Sequence, residues 1–207
     1  MTLDKLKYGA INNKKIIMFL IVLGIIGILS GSLFLTIISK SDQELVKSYI
    51  GTFMQNIMDH KIIYQDTLRN SLINNLGYVL IIWLLGISVI GLPIIIFVYF
   101  SKIFVIGFSV GSFILTYHLK GILYALVYIF PIHIMNILVY LLLALYGIKM
   151  SNNLIYSIFK KKEVNVKKIL NKYLLILAIC LGAMVIYSLY ETFVIPFLFE
   201  KLKFLIK

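Results

Sequence analysis

The chain is poor in charged residues and in cysteine. Only 14% of its 207 residues are charged, where a soluble globular domain has about 25%. Apolar residues make up 61%, which is more than a soluble fold of this length can bury, so a soluble enzyme is excluded. The single cysteine, Cys180, lies in an apolar run, so neither an internal disulfide nor a cysteine-based metal site can form. The high hydrophobicity also excludes intrinsic disorder.

Lysine supplies nearly all of the positive charge. There are 19 Lys and one Arg against eight acidic residues, which gives a net charge of +12. Such an excess is typical of nucleic-acid binding. Here, however, the lysines lie between apolar runs, which is where membrane proteins carry their orientation signals. The sequence therefore predicts an integral membrane protein that contacts the lipid bilayer and has no nucleic-acid partner.

The apolar runs predict an all-α bundle of about five transmembrane helices, some of them kinked or broken, in one membrane domain over 1–207. About 20 apolar residues are needed to cross the hydrocarbon core. The spans are placed near 16–38, 76–100, 103–117, 121–147 and 173–199.

The run Leu76–Tyr117 is long enough for two spans and contains one charge, Lys102. We place the break between its two spans at Ser101-Lys102. Gly91-Leu92-Pro93 is a competing break, and otherwise Pro93 kinks the helix because proline lacks a backbone donor.

The lysine distribution predicts the orientation. The N-terminal segment and the loop 149–172 are both rich in lysine and should be cytoplasmic. An even number of crossings must then separate them. The segment 39–71 becomes an outer loop, and the C-terminus lies outside, although the tail after Glu191 also carries lysines.

The outer loop contains a predicted amphipathic helix. Ser41-Asp42-Gln43-Glu44 fits a capping box, which marks the start of a helix. Apolar residues then recur every four positions and form one helical face. Its members are Leu45, Tyr49, Phe53 and Ile57. This face either rests on the bundle or lipid surface, or docks an extracytoplasmic partner. Pattern alone favours the first alternative.

Catalytic signatures are missing from the sequence. It contains no HExxH, GxSxG or P-loop motif, and its three histidines are far apart. We therefore predict no enzyme activity, no catalytic residue, and no bound cofactor or metal.

Polar residues inside the spans are candidates for structural or functional roles. Glu191 precedes Pro196 and either locks a broken helix or carries a proton; we prefer the lock. His133 and Asn136 follow Pro131 on one helix face. They either satisfy backbone groups that the proline frees or line a cavity, and we place packing above transport.

Two small-residue patterns predict close contacts between helices. Gly27-x-x-x-Gly31 and Gly107-x-x-x-Gly111 would let neighbouring backbones approach. They indicate a packed bundle, and they leave open whether the protein forms a homo-oligomer.

A series of short segments keeps its order and spacing along nearly the whole chain. The segments are Asn74-Asn75-Leu76, Trp83-Leu84-Leu85-Gly86-Ile87, Gly91-Leu92-Pro93, Phe104 to Gly111, Pro131 with Asn136, and Glu191-Thr192-Phe193-Val194-Ile195-Pro196. With the length and the five-span layout, this series resembles the stage II sporulation protein M family. Broader relatives often carry His-Gly and a Glu after the proline of span four. In this chain Ile132-His133 replaces the His-Gly pair and Asn136 replaces the Glu, which weakens the case for a transport role.

The resemblance implies a function that the residues alone do not. Such proteins are non-enzymatic membrane scaffolds for two peptidoglycan-degrading partners, sporulation proteins D and P. They act in engulfment of the forespore, at the sporulation septum or engulfing membrane of the bacterial cell. The alternative is a small permease-like subunit or transporter, which could pair with an ATPase, with a path lined by Glu191, His133 or Asn136.

Overall fold

A computed structural model describes residues 3–59, 64–126, 130–159, 166–194 and 196–197. Every secondary-structure element in these ranges is helical, and none of the described residues forms a strand. The helices are α1 Leu3–Ile37, α2 Lys40–Met58, α3 Tyr64–Gly86, α4 Gly91–Tyr124, α5 Phe130–Phe159 and α6 Val166–Leu189, followed by a π-helical turn Tyr190–Val194. All but α2 are long and apolar enough to cross a membrane. This confirms the predicted all-α bundle of about five transmembrane helices.

A core of apolar side chains lies among α3, α4, α5 and α6. Val79, Ile82, Ile95 and Leu143 are 0% exposed, and Cys180 is equally buried as a free thiol in the same core. Many apolar side chains on the outside of the bundle are exposed instead. Such a surface suits contact with lipid and would be unfavourable in water.

α1 and α4 lie side by side and run in the same direction. Gly24 lies beside Tyr99 near one end of the pair, and Leu35 lies beside Gly111 near the other. Since both helices begin at the same end of the bundle, an even number of crossings, α1 and α3, separates their first residues.

The lysine-rich segments share one end of the bundle. Ser151, late in α5, donates a hydrogen bond of 2.9 Å to the Ser88 carbonyl in the turn before α4. Tyr173, early in α6, stacks on Trp83 near the end of α3. The end of α5 and the start of α6 therefore lie with the starts of α1 and α4. We call this the lysine end and the opposite one the distal end. The described lysines at the lysine end include Lys14, Lys15, Lys149 and Lys172.

The contact between α1 and α4 around Gly31, Gly107 and Gly111, here called the glycine seam, depends on the absence of side chains. A Cβ atom added to Gly107 would lie 2.6 Å from Ile28 Cα, and one added to Gly111 would lie 3.0 Å from Ser32 Cα. Ser32 Oγ also donates a hydrogen bond of 2.8 Å to the Gly107 carbonyl. The two backbones thus approach closely, which is the arrangement that small-residue patterns indicate.

The predicted break at Ser101-Lys102 is wrong. α3 ends at Gly86 and α4 begins at Gly91, so the chain turns at the competing position, and Lys102 lies inside a continuous helix. Pro93 is the third residue of α4, where the first helical turn needs no donor from it. The turn before it is closed by hydrogen bonds such as Gly91 N to the Ser88 carbonyl, 3.2 Å.

The other predicted spans shift along the chain. The fourth and fifth candidate spans are His133–Ile155 and Ile169–Val194, in place of 121–147 and 173–199. The predicted end at Phe199 lies outside the described residues. α4 extends to Tyr124, although its helical geometry is interrupted at His118, near the predicted end of the third span.

His118 turns the chain back on α4. Its φ of 54° and ψ of −128° are non-helical, and a positive φ is unfavourable for any residue except glycine. Beyond it, the Tyr124 ring packs edge-on against Tyr117 with centres 5.1 Å apart, and Gly121 lies against the Phe113 carbonyl. A short helical segment therefore covers the distal end of α4.

The predicted loops are more helical than expected. The outer loop 39–71 consists largely of α2 and the first turns of α3, which begins at Tyr64. The lysine-rich loop 149–172 is largely taken up by the end of α5 and the start of α6. Residues 160–165 between them lie outside the described residues.

Candidate functional site

α2 is capped by a different residue pair from the predicted one. Ser39 Oγ accepts a hydrogen bond of 3.2 Å from the Asp42 amide and donates one of 2.6 Å to the Asp42 carboxylate. Because α2 starts directly after Ser39, this serine is the N-cap, and the predicted box of Ser41 and Glu44 is wrong. Glu44 instead forms an ion pair of 2.7 Å with Lys47.

The predicted apolar face of α2 is not buried against the bundle. Leu45 is 56% exposed, Tyr49 is 74% exposed and Phe53 is 37% exposed. The side turned towards α4 carries Met54, which is only 2% exposed. We call Leu45, Tyr49 and Phe53 the exposed stripe. The side chain of Ile57, the fourth predicted member, lies outside the described residues.

A groove with a volume of about 340 Å³ separates α2 from α4. Aromatic side chains from both helices line it, and His133 of α5 borders it on the third side. The aromatic residues are Tyr49, Phe53, Phe108 and Phe113. The exposed stripe is thus continuous with a concave apolar surface at the distal end.

His133 and Asn136 lie in the interior near the distal end. His133 borders the groove and also a second cavity, of about 250 Å³, among α1, α4 and α5. Asn136 is 6% exposed. Within the described ranges, neither His133 Nδ1 nor Asn136 Oδ1 has a hydrogen-bond partner. The structure places His133 beside cavities and buries Asn136, and it shows no bond from these two atoms to a backbone group that Pro131 frees.

An intramembrane lysine lies in the middle of α4. Lys102 Nζ is 4.4 Å from the centre of the Tyr78 ring, and the Tyr78 hydroxyl donates to the Val98 carbonyl. The Tyr78 ring packs edge-on against Tyr140, with centres 4.7 Å apart. The electron-rich face of an aromatic ring stabilises an ammonium group that is removed from water. Lys102 can therefore lie inside α4, at the position predicted to be a break between two spans.

Glu191 ties the end of α6 to the start of α3. Ser71 Oγ donates a hydrogen bond of 2.5 Å to its carboxylate, and Tyr187 is a further partner. Asn75 Nδ2 donates to Ser71 Oγ at 3.1 Å and to Ser188 Oγ at 3.2 Å. We call Ser71, Asn75, Ser188 and Glu191 the polar clamp. It links two helices that are more than a hundred residues apart in sequence.

The surroundings of Glu191 favour a structural tie. No lysine or arginine in the described part of the chain forms an ion pair with it. Its hydrogen-bond partners Ser71 and Tyr187 belong to α3 and α6 and not to the His133 and Asn136 region. A carboxyl group held by hydroxyl and amide donors can join two helices in lipid.

The helix is broken where Glu191 projects. α-Helical geometry ends at Leu189, and the π-helical turn Tyr190–Val194 follows, ending two positions before Pro196. Proline cannot donate to the helix, and its ring would clash with the carbonyl four residues earlier, that of Thr192. A break near Pro196 was predicted, and this wider turn carries the Glu191 side chain that bonds to α3.

Sequence reasoning missed the partners of these groups. Ser71 and Asn75 are four residues apart and so share one face of α3, which is a signal for a polar contact. Lys102 could have been recognised as the single charge in a long apolar run. No three His, Cys, Asp or Glu side chains among the described residues are grouped as a metal site would require.

Comparison with known proteins gives one match. A family model described as stage II sporulation protein M matches residues 16–196. This range includes α2, the glycine seam and the polar clamp. Neither the curated proteins nor the solved structures compared with the chain give a match.

Proposed function

Because the chain belongs to the stage II sporulation protein M family, we propose that this sporulation-related membrane protein is a scaffold and not an enzyme. In this proposal it localises and anchors extracytoplasmic peptidoglycan-degrading proteins during forespore engulfment. Its partners are sporulation proteins D and P, and its place is the septum or the engulfing membrane.

The exposed stripe of α2 is the observation that carries the proposal. Tyr49 is 74% exposed on a helix whose opposite side is buried against α4. A surface aromatic beside an apolar groove is a common anchor in protein interfaces. A helix that only covered its own bundle would bury these side chains, whereas here they line an open groove or lie exposed. The stripe therefore supports docking of a partner more than it supports internal packing.

Substitution of the stripe tests the proposal. Tyr49→Ser should weaken co-purification of the full-length protein with the partner hydrolases by roughly 30-fold, because it removes an aromatic anchor. The matched control is Gln55→Ser, which changes an exposed residue on a polar side of the same helix. Equal recovery of both hydrolases with Tyr49→Ser and with the control would contradict docking through the stripe.

The proposed orientation has the N-terminus inside and the C-terminus outside. It is supported by the lysines of α1, α5 and α6 at one end of the bundle, since such lysines favour the cytoplasm. A cysteine placed at Ser48 should react with a membrane-impermeant reagent in intact cells, and one at Asn165 should not. A Cys180→Ala background removes the buried native thiol. Equal labelling at both positions would contradict this topology.

A permease-like subunit is the second candidate, and one observation favours it. Lys102 lies inside a candidate span, and His133 lies within electrostatic range of it. His133 Nδ1 and Asn136 Oδ1 have no hydrogen-bond partner among the described residues. Intramembrane polar groups often mark a substrate path. Lys102→Met should abolish function without loss of partner hydrolases if the protein transports, and should leave engulfment intact if it is a scaffold.

A further inference from the structure

We propose that the cavity between α5 and α6 at the lysine end binds the phosphate group of an anionic phospholipid. The cavity has a volume of about 270 Å³, and the residues that line it belong to α5 and α6. Tyr146, Lys149 and Asn153 of α5 line it together with Lys172 of α6. The inference does not depend on the scaffold function, because it concerns the opposite end of the molecule from the exposed stripe.

Two ammonium groups converge on a single tyrosine ring in this cavity. Lys149 Nζ lies 5.4 Å from the centre of the Tyr146 ring, and Lys172 Nζ lies 5.6 Å from the same centre. Each lysine is attracted to the ring, but the two like charges are close enough to repel each other. The ring thus gathers positive charge from two helices at one place.

This positive charge has no recorded negative partner. Among the residues that the structure describes, neither Lys149 nor Lys172 forms an ion pair with a carboxylate. Paired cations at the edge of a membrane favour an anion between them, and phosphate oxygens accept several charge-assisted hydrogen bonds at once. The Asn153 side-chain amide in the lining adds a further neutral donor. The shared chemistry of the site is therefore recognition of a phosphate oxyanion.

The rest of the cavity fits a lipid better than a free phosphate ion. Met150 and Tyr173, which are 3% and 2% exposed, contribute an apolar lining, and Ile169 extends it. Trp83 stacks on Tyr173 at a ring distance of 5.7 Å. Aromatic rings and lysines together are typical of the depth at which headgroups meet acyl chains, and basic pockets between transmembrane helices bind anionic headgroups. An inorganic ion would gain nothing from the apolar wall.

Lipid retention measured by native mass spectrometry tests the site. The full-length protein is reconstituted in phosphatidylcholine vesicles with or without phosphatidylglycerol and then extracted. The double variant Lys149→Gln/Lys172→Gln should bind phosphatidylglycerol more weakly, by about fivefold for each lysine and roughly 25-fold for the pair. The matched control Lys14→Gln/Lys15→Gln removes the same charge from exposed positions at the same end and should keep the wild-type affinity.

Further arms separate this site from its alternatives. Lys149→Arg/Lys172→Arg should retain the lipid, because it restores the charge at the same positions. Glu163→Gln should leave the retention of phosphatidylglycerol unchanged. Increased retention would show that the Glu163 carboxylate pairs with these lysines in place of the lipid, and it would count against the site. Equal losses in both glutamine double variants would show unspecific surface attraction and overturn the site. Thermal stabilisation by inorganic phosphate in pure phosphatidylcholine, equal to that by phosphatidylglycerol, would overturn the lipid assignment.

Discussion

The glycine seam and the polar clamp hold pairs of helices together by different means. At the glycine seam, Gly107 and Gly111 of α4 lie against the backbone of α1, with one interhelical hydrogen bond from Ser32. At the polar clamp, side-chain hydrogen bonds join α3 to α6 through Ser71 and Glu191. Lipid gives apolar helices no hydrophobic reason to associate with each other, so each contact needs close packing or polar bonds.

This difference predicts which substitutions each contact tolerates. The glycine seam has no spare volume, so it should be sensitive to any added side chain and nearly indifferent to the loss of one hydroxyl. The polar clamp has bonding groups that are kept from water, so it should be sensitive to the loss of a partner and tolerant of a polar group of the same size. Substitutions can therefore be used to break one contact while the other is left intact.

Gly107→Leu should have the largest effect. The added side chain would meet the Ile28 backbone, which cannot move as a flexible side chain can. We expect a loss of at least about 3 kcal/mol in the free energy of unfolding, with poor accumulation in the membrane. Thermal unfolding in detergent and the amount of protein in membranes measure this effect.

Gly111→Leu and Gly182→Leu are graded controls for that prediction. Gly111 faces the Leu35 side chain, 2.8 Å from an added Cβ, so part of the clash can relax and the loss should be smaller. Gly182 in α6 has no atom within 4 Å of an added Cβ, and its substitution should be tolerated. Normal accumulation and activity of both Gly107→Leu and Gly111→Leu would show that α1 and α4 are not held by close packing.

Glu191→Ala should have an intermediate effect. It removes the acceptor of the Ser71 hydroxyl and leaves a donor of the clamp without its partner. We expect a loss of about 1–3 kcal/mol in the free energy of unfolding, measured by thermal or denaturant unfolding. Glu191→Gln keeps the size and an acceptor oxygen, so it should retain most of the stability and function.

The same pair of variants separates a structural tie from a proton carrier. A proton carrier needs the titratable group itself, so Glu191→Gln would abolish activity although the protein accumulates normally. An abundant Glu191→Gln variant that recruits its hydrolase partners and is nevertheless inactive would favour the transporter. A Ser71→Ala variant should resemble Glu191→Ala in stability, since it breaks the same bond from the other side.

The sequence predicted five membrane-spanning helices correctly but misplaced several of their boundaries. Apolar runs are sufficient to identify five helices, because the length needed to cross a bilayer is fixed by its thickness. The predicted boundary at Lys102 is wrong because a single charge in an apolar run does not by itself end a helix. Its environment, the Tyr78 ring, comes from a different helix and cannot be read from the local sequence. Pro93, by contrast, carried a local signal that was correct, since it lies in the first turn of α4.

The candidate site was predictable only where its features are local. The four-residue spacing identified α2 as an amphipathic helix, and Pro196 identified a break near Glu191. Spacing could not show that Tyr49 stays exposed beside the groove, because other residues of α2 are also apolar enough to pack. The bond from Ser71 to Glu191 joins residues 120 positions apart, and only the fold brings them together.

Ser32→Ala should have a smaller effect than Gly107→Leu and Glu191→Ala. It tests whether the glycine seam depends on packing alone. Ser32 Oγ bonds across the seam to the Gly107 carbonyl at 2.8 Å, whereas Ser109 Oγ bonds within α4 to the Val105 carbonyl at 3.0 Å. Hydrogen bonds between membrane helices contribute about 0.6 kcal/mol on average, so Ser32→Ala should lower the free energy of unfolding by roughly that amount. Ser109→Ala is the matched control and should change it less, because it removes no bond between helices. A loss for Ser32→Ala as large as that for Glu191→Ala would mean that the glycine seam and the polar clamp both depend on polar bonds. The two contacts would then differ only in the close packing at the glycines of α4.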